Sequence, residues 1–279
     1  MHEKSIRLRR QREEYDKFSK SAGLLTQNER NQVVGFGRSE ASRASWAVIK
    51  SESSNKMAGK SNDWSKAIPQ SHSETELNDL AKYAESKNIS FRNLRKFDGD
   101  IKLLKEQLDI ISDLCTEFKI DRRINIGFNN MDDDDFAETK GYTILYNKNV
   151  LRDRSVTESN LSSDGHLVAF DTSGVTIHEM GHILSKFYNI DGLDIFKKSF
   201  YNIYKMTPTT TQSINYLNDY VSDYSTTPHY NDKNLNSTAD KVEYNEIAPE
   251  MLVMHKTIGD DLADEFVRLI KEGITHEST

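Results

Sequence analysis

The segment His178-Glu179-Met180-Gly181-His182 carries the residue types needed to bind and use a metal ion. In an α-helix, side chains four residues apart lie on the same face, one turn apart, so His178 and His182 can ligate one ion. Histidine pairs of this spacing are typical of zinc sites. Glu179 would then lie beside the metal, where its carboxylate can take a proton from water that the metal has made more acidic. The pattern predicts a zinc site with Glu179 as its general base.

The residues around this motif predict a buried helix. Thr172 or Ser173 can serve as its N-cap, and apolar side chains lie on nearly every face: Val175, Ile177, Met180, Ile183, Leu184 and Phe187. Two histidines and a glutamate in such a helix would be costly to bury without partners. A bound metal ion supplies the partner, which favours a metal site over a chance match to the motif.

A catalytic zinc ion normally has three protein ligands, so a further ligand is expected. The metzincin continuation is excluded, because Ser185 and Tyr188 replace the glycine and histidine that it requires. The segment NEIAPE is a better source, since Glu246 and Glu250 lie four residues apart at the start of a predicted helix. We assign Glu246 to the metal, and we expect Glu250 to orient a ligand histidine without touching the metal.

The start of this helix also has a purely structural explanation. Acidic residues in a first turn are stabilised by the helix dipole, so either glutamate can belong to a solvated helix end. Asn245 is the expected N-cap, and Pro249 fits the first turn because amides there lack an intrahelical acceptor. Glu243 precedes this cap and is expected to point elsewhere.

Between the two motifs, Tyr224 is the residue most suited to assist catalysis. A phenol near the metal can donate a hydrogen bond to a tetrahedral oxyanion, although a tyrosine can equally serve in packing. His229 and Tyr230 are weaker alternatives for this role. His166 is expected to be structural or exposed rather than a ligand.

The pattern of the remaining chain predicts an α+β domain, with strands before residue 171 and helices after it. Ser73 and Glu76 form a capping box for a first helix, and Asp98 or Asp100 can cap a second. The segments INIGF and YTILY alternate apolar residues and predict two antiparallel or edge strands. YTILY is the expected edge strand for an extended substrate. Later helices are expected over residues 193–205, 211–220, 245–256 and 260–272, the last ended by Gly273.

Residues 1–72 have the composition of an extension rather than of a core. Residues 1–20 contain seven basic and four acidic residues, and residues 38–73 contain ten serines. We therefore expect a basic segment and a serine-rich linker, largely disordered, ahead of a folded domain over residues 73–279.

Charge and composition exclude several classes of function. The net charge of −7 argues against nucleic-acid binding by the folded domain. No segment approaches the roughly 18–20 apolar residues of a membrane span, and no apolar stretch follows the basic start, so neither a membrane segment nor a signal peptide is expected. The single cysteine, Cys115, is expected to be a small hydrophobic residue of the core.

HEMGH, Tyr224 and NEIAPE together resemble the gluzincin peptidases, in particular their anthrax-lethal-factor-like branch. Several segments are similar to the peptidase-like C-terminal region of phage minor capsid (head) proteins: ISFRNLRKFDGDIKLLKEQLD, AETKGYTILYNKNVLRDR, HEMGH and YNEIAPEML. The upstream EYDKFSKSAGLLTQNERNQV resembles the connecting tail of such proteins.

The resemblance implies a zincin-like domain in which His178, His182 and Glu246 bind zinc, Glu179 is the general base and Tyr224 assists catalysis. This sequence departs from the anthrax-lethal-factor-like branch in one respect. Here 22 positions separate Tyr224 from Glu246, whereas in that branch the tyrosine and the glutamate are close together. The implied substrate is a peptide or protein, the implied partners are phage head components, and the implied location is the host cytoplasm or the virion. The alternative is a structural head component whose metal site does no catalysis.

Overall fold

A small mixed sheet and a helical second half make up the described part of the chain, which is an α+β fold as predicted. The structure is a computed structural model that describes residues 62–164, 169, 171–222, 224–226 and 244–277. The helices in these residues are α1 (Glu74–Glu85), α2 (Ile101–Glu117), α3 (Arg154–Asp164), α4 (Thr172–Phe187), α5 (Gly192–Tyr204), α6 (Thr210–Tyr220), α7 (Ile247–Thr257) and α8 (Asp261–Glu277). The strands are β1 (Ile89–Phe91), β2 (Ile124–Asn129), β3 (Ala137–Lys140) and β4 (Thr143–Asn147).

The sheet has the order β1-β2-β4-β3, with β1, β2 and β4 parallel and β3 antiparallel to β4. The segments INIGF and YTILY are strands as predicted, but they pair in parallel rather than antiparallel. YTILY forms β4, which is internal and buried at all five positions, so its prediction as the edge strand was wrong. The edge strands are β1 and β3, and the polar sequence AETK of β3 gave no apolar alternation to detect.

The helices before the sheet follow the predicted caps. Ser73 and Glu76 form the capping box of α1, and Asp100 accepts hydrogen bonds from the first amides of α2. Asp98 has another role, because its carboxylate accepts two hydrogen bonds from the Arg152 guanidinium. Cys115 packs against the core, where burial raises the pKa of its thiol to about 11 and leaves it inert as a nucleophile.

The four predicted later helices are present as α5 to α8, with two corrections at their ends. The N-cap position of α7 is Glu246 rather than Asn245, which is exposed in the preceding turn. Gly273 does not end α8, which continues to Glu277. Helix α3 was not predicted because its sequence RSVTESNLSSD is too polar to show a packing face.

Residues 62–72, which the composition assigned to the linker, pack against the domain. Trp64 is 8% exposed, its indole nitrogen donates to the Asp133 carbonyl oxygen at 2.8 Å, and its ring meets Phe136 edge-on. The packed chain therefore begins upstream of Ser73, and the remainder of the predicted extension lies outside the described residues. Among the helices of the described ranges, none is long and apolar enough to cross a bilayer.

Candidate metal centre

Helix α4 carries the HEMGH motif and is buried along most of its length, as predicted. Its N-cap is Asp171 rather than Thr172 or Ser173, and the Asp171 carboxylate accepts a hydrogen bond from the Gly174 amide at 2.6 Å. A carboxylate cap also suits the positive end of the helix dipole.

Helix α7 crosses α4 at a glycine. A Cβ atom added to Gly181 would lie 2.4 Å from the Cα of Pro249, so only glycine permits this close approach of the two backbones. The contact places the glutamates at the start of α7 opposite the histidines of α4. Both elements of the predicted site thus meet through their backbones as well as through their side chains.

Three side chains converge where these helices meet. Oε2 of Glu246 lies 3.1 Å from Nε2 of His178 and 3.2 Å from Nε2 of His182. One potential ligand atom from each residue falls within 4.8 Å of the other two, so the group could hold a single metal ion. Glu246 is 3% exposed and His178 is 6% exposed, whereas His182 is more open. The structure therefore brings together the three predicted ligands.

Glu250 holds the ring of His178 from behind. Its Oε1 lies 2.7 Å from Nδ1 of His178, and its Oε2 accepts a hydrogen bond from the Ser222 hydroxyl at 2.8 Å. An Nδ1–H that donates to a carboxylate leaves Nε2 with its lone pair directed to a metal. The fully buried Glu250 thus occupies the orienting position that the sequence predicted.

Electrostatics in this site, without a metal ion, favour a pair of protonated His178 and ionised Glu246. Burial disfavours the carboxylate form of Glu246, but the hydrogen bonds from His178 and His182 outweigh burial and hold its pKa well below the usual range. Burial also disfavours the imidazolium form of His178, but its hydrogen bonds to Glu246 and Glu250 outweigh this and raise its pKa to about 10. A cation is therefore stabilised at this position, and a metal ion would replace a proton.

Glu179 lies beside the ligands with an uncompensated oxygen. It is 5% exposed, and its Oε2 is buried without a hydrogen-bond partner in the described residues. Its backbone carbonyl accepts a hydrogen bond from the Thr139 hydroxyl of β3 at 3.2 Å. An orphaned buried carboxylate oxygen is costly, and it marks a place for a water molecule or a reacting group.

Tyr224 belongs to the same site. It begins a short 3₁₀ turn, Tyr224–Thr226, and its ring lies 5.9 Å from that of His178. Burial, together with the negative charges of Glu246 and Glu179, raises the pKa of its phenol. The phenol therefore keeps its proton and can act as a hydrogen-bond donor.

One cleft of about 1060 Å³ is lined by the three potential ligands, by Glu179 and by Tyr224. Strand β3 forms one wall through Ala137, Glu138 and Thr139, and the floor holds His178, Glu179 and His182. Strand β3 is also one of the two edge strands of the sheet that the described residues form. The cleft has the size of a ligand site for an extended chain or a small molecule.

Four other residues were considered from the sequence for this site or near it. His166, His229, Tyr230 and Glu243 lie outside the described residues. Two contributors were missed, namely Ser222, which donates to Glu250, and Thr139, which donates to the backbone carbonyl of Glu179 in α4. A lone hydroxyl gives no signal in sequence, because its role depends on which distant residue it meets.

No protein-family model, curated protein or solved structure matches this chain. The site is therefore defined by its own geometry, as a group of two histidines and one glutamate that could hold a metal ion beside a buried carboxylate.

Proposed function

We propose that this chain is a zinc-dependent endopeptidase of the gluzincin type. One observation carries the proposal: His178, His182 and Glu246 converge on one point, next to the partnerless Oε2 of Glu179 and on the floor of an open cleft. Two imidazoles and one carboxylate, with a side left open, are a donor set of catalytic zinc. A purely structural zinc site normally has four protein ligands and needs no such neighbouring base.

The proposed chemistry is hydrolysis of a peptide bond. His178, His182 and Glu246 would hold the zinc ion, which would supply a Lewis acid to acidify water and polarise a carbonyl group. Glu179 takes a proton from the attacking water through its free Oε2, as the oxygen adds to the carbonyl carbon. The same carboxyl group then gives that proton to the leaving amine nitrogen as the C–N bond breaks.

Two further features suit this reaction. The neutral phenol of Tyr224 can donate a hydrogen bond to the oxyanion that develops on the carbonyl oxygen. The edge strand β3 borders the cleft, so an extended peptide can pair with its backbone and pass over the reacting groups. A chain bound in this way continues beyond the site on both sides, which favours endopeptidase activity.

The phage-head context is a proposal that rests on the sequence resemblance alone. In this context the substrate is a head protein or another protein reached during infection, and the location is the host cytoplasm or the virion. The alternative, a structural head component with a noncatalytic metal site, shares the ligands but gives no role to the free oxygen of Glu179.

Cleavage profiling separates these two functions. The purified full chain, loaded with zinc, is incubated with a peptide library beside a Glu179→Gln variant of equal zinc content. Cleavage by the native chain alone supports the peptidase. Bound zinc without cleavage by either protein supports the structural role, and equal cleavage by both would show that Glu179 is not the base.

A further inference from the structure

Glu250 touches two parts of the site at once. One carboxylate oxygen bonds to Nδ1 of His178, and the other accepts the hydroxyl of Ser222. Glu250 is 0% exposed and Ser222 is 3% exposed, so water does not loosen these contacts. A buried carboxylate held through both oxygens has a fixed orientation, since turning it would break a hydrogen bond on each side.

Ser222 in turn fastens the segment that carries Tyr224. Its Oγ accepts a hydrogen bond from the Ser225 amide at 3.0 Å, and its carbonyl accepts one from the Ser225 hydroxyl at 2.6 Å. The Ser225 amide also lies 3.3 Å from the Ser222 backbone carbonyl, and the three bonds close the chain around Tyr224, which lies between the serines. Ser225 is fully buried. The turn is therefore held through Ser222, which also donates to Glu250.

We propose that Ser222 is a positioning residue that couples metal binding at His178 to the placement of Tyr224 through the carboxylate of Glu250. The catalytic meaning of this coupling rests on the proposed function, but the coupling itself does not require turnover. The path has three hydrogen bonds, from the Ser225 amide to Ser222, from Ser222 to Glu250, and from His178 to Glu250.

The consequence is reciprocal. An ion on Nε2 of His178 fixes the imidazole ring, which fixes Glu250 and, through Ser222, the turn at Tyr224. By linkage, a turn held in place by Ser222 must also strengthen metal binding by the same factor. The chain would thus order its proposed oxyanion donor when the metal is present.

Hydrogen–deuterium exchange of the full chain, with and without zinc, tests the coupling. Zinc should slow exchange of the Ser225 amide in the native chain. Ser222→Ala should abolish most of this protection and weaken zinc binding about tenfold, at the lower end of the effect of an outer partner of a ligand. Ser222→Thr keeps a hydroxyl and should restore both. Ser213→Ala is the matched control, because this buried hydroxyl donates to the carbonyl of Thr209, the N-cap of α6, and should change neither.

Equal protection by zinc in the native chain and in Ser222→Ala would overturn the proposal. If Ser222→Ala does not fold, the native chain alone tests the proposal. An exchange rate of the Ser225 amide that is the same with and without zinc would contradict the coupling. Neither measurement uses substrate, so a chain that binds zinc and protects Ser225 without cleaving peptides would support the coupling while the peptidase proposal fails.

Discussion

At the scale of single residues, the two buried glutamates of α7 are distinguished by their partners. Glu246 faces both histidine Nε2 atoms, whereas Glu250 faces the Nδ1 atom of His178 and the hydroxyl of Ser222. The first contact is that of a ligand, and the second is that of a group that sets the orientation of a ligand. The two substitutions are therefore expected to differ in their effect on metal affinity.

Replacing Glu250 by Gln should weaken zinc binding on the order of 10- to 100-fold, as for other outer partners of ligands. Replacing Glu246 by Gln should weaken it more, because an anionic ligand is lost. Glu138→Gln is the control, since this exposed cleft carboxylate pairs with Lys140 and, among the residues that the structure describes, faces no histidine within ion-pair distance. Competitive zinc titration gives the order, and a larger loss in Glu250→Gln than in Glu246→Gln would reverse the assignment of the two roles.

Zinc affinity should rise with pH. In the metal-free chain the raised pKa of His178 keeps a proton that zinc must displace. The same shift stabilises the metal-free fold fully below the unfolded pKa near 6.5, and this contribution disappears as the pH rises through about 10. Release of one proton corresponds to about a tenfold gain in zinc affinity per pH unit between roughly pH 7 and 9. Titrations across that range measure the slope, and a flat profile would show that His178 is neutral without metal.

At the scale of elements, the site depends on how closely α4 and α7 approach. Only the absence of a side chain at Gly181 allows the backbone of Pro249 to lie against α4. That contact fixes how far Glu246 reaches toward the two histidines. The geometry of the ligands is therefore set by the packing of two helices as well as by the ligands themselves.

Gly181→Ala should force the two helices apart, because its Cβ would meet backbone atoms that cannot rotate away. We expect a loss of about 1–3 kcal/mol in the free energy of unfolding, together with weaker zinc binding. Gly273→Ala is the matched helical control, since a Cβ there meets nothing within 4 Å, and it should stabilise the chain by up to about 1 kcal/mol. Urea denaturation measures the free energy of unfolding of both variants. The same change in both would contradict the close contact at Gly181.

Local patterns were sufficient to predict much of this site. His178 and His182, and likewise Glu246 and Glu250, were found because helical spacing links residues four apart along one chain. The parallel pairing of β2 with β4 was not found, since it depends on a long-range contact that strand alternation does not encode. Strand β3 was missed because its four residues are largely polar, although it forms a wall of the cleft.

At the scale of the whole molecule, the domain extends into a segment whose composition is that of a linker. Trp64 reaches across to the acidic loop before β3 and covers Phe136. The packing of Trp64 was not predicted, because the composition of the surrounding residues is rich in serine and typical of a linker. Its position shows that the segment before α1 stabilises the same core that supports the metal site.

Trp64→Ala should therefore lower the free energy of unfolding by about 3 kcal/mol, since a nearly buried ring and its hydrogen bond are lost. Ile68→Ala, in the same segment but 71% exposed, should change it by less than about 0.5 kcal/mol. Chemical denaturation of both full-length variants makes the comparison. A silent Trp64→Ala would mean that residues 62–72 do not belong to the folded unit.

Elemental analysis of the purified full chain shows whether His178, His182 and Glu246 hold a metal ion. After reconstitution with zinc and gel filtration, we expect one zinc per chain, because two imidazoles and a buried carboxylate converge within 4.8 Å. A variant with both His178→Ala and His182→Ala should retain none. Absence of zinc from the native chain after reconstitution, or equal zinc in the double variant, would contradict the account.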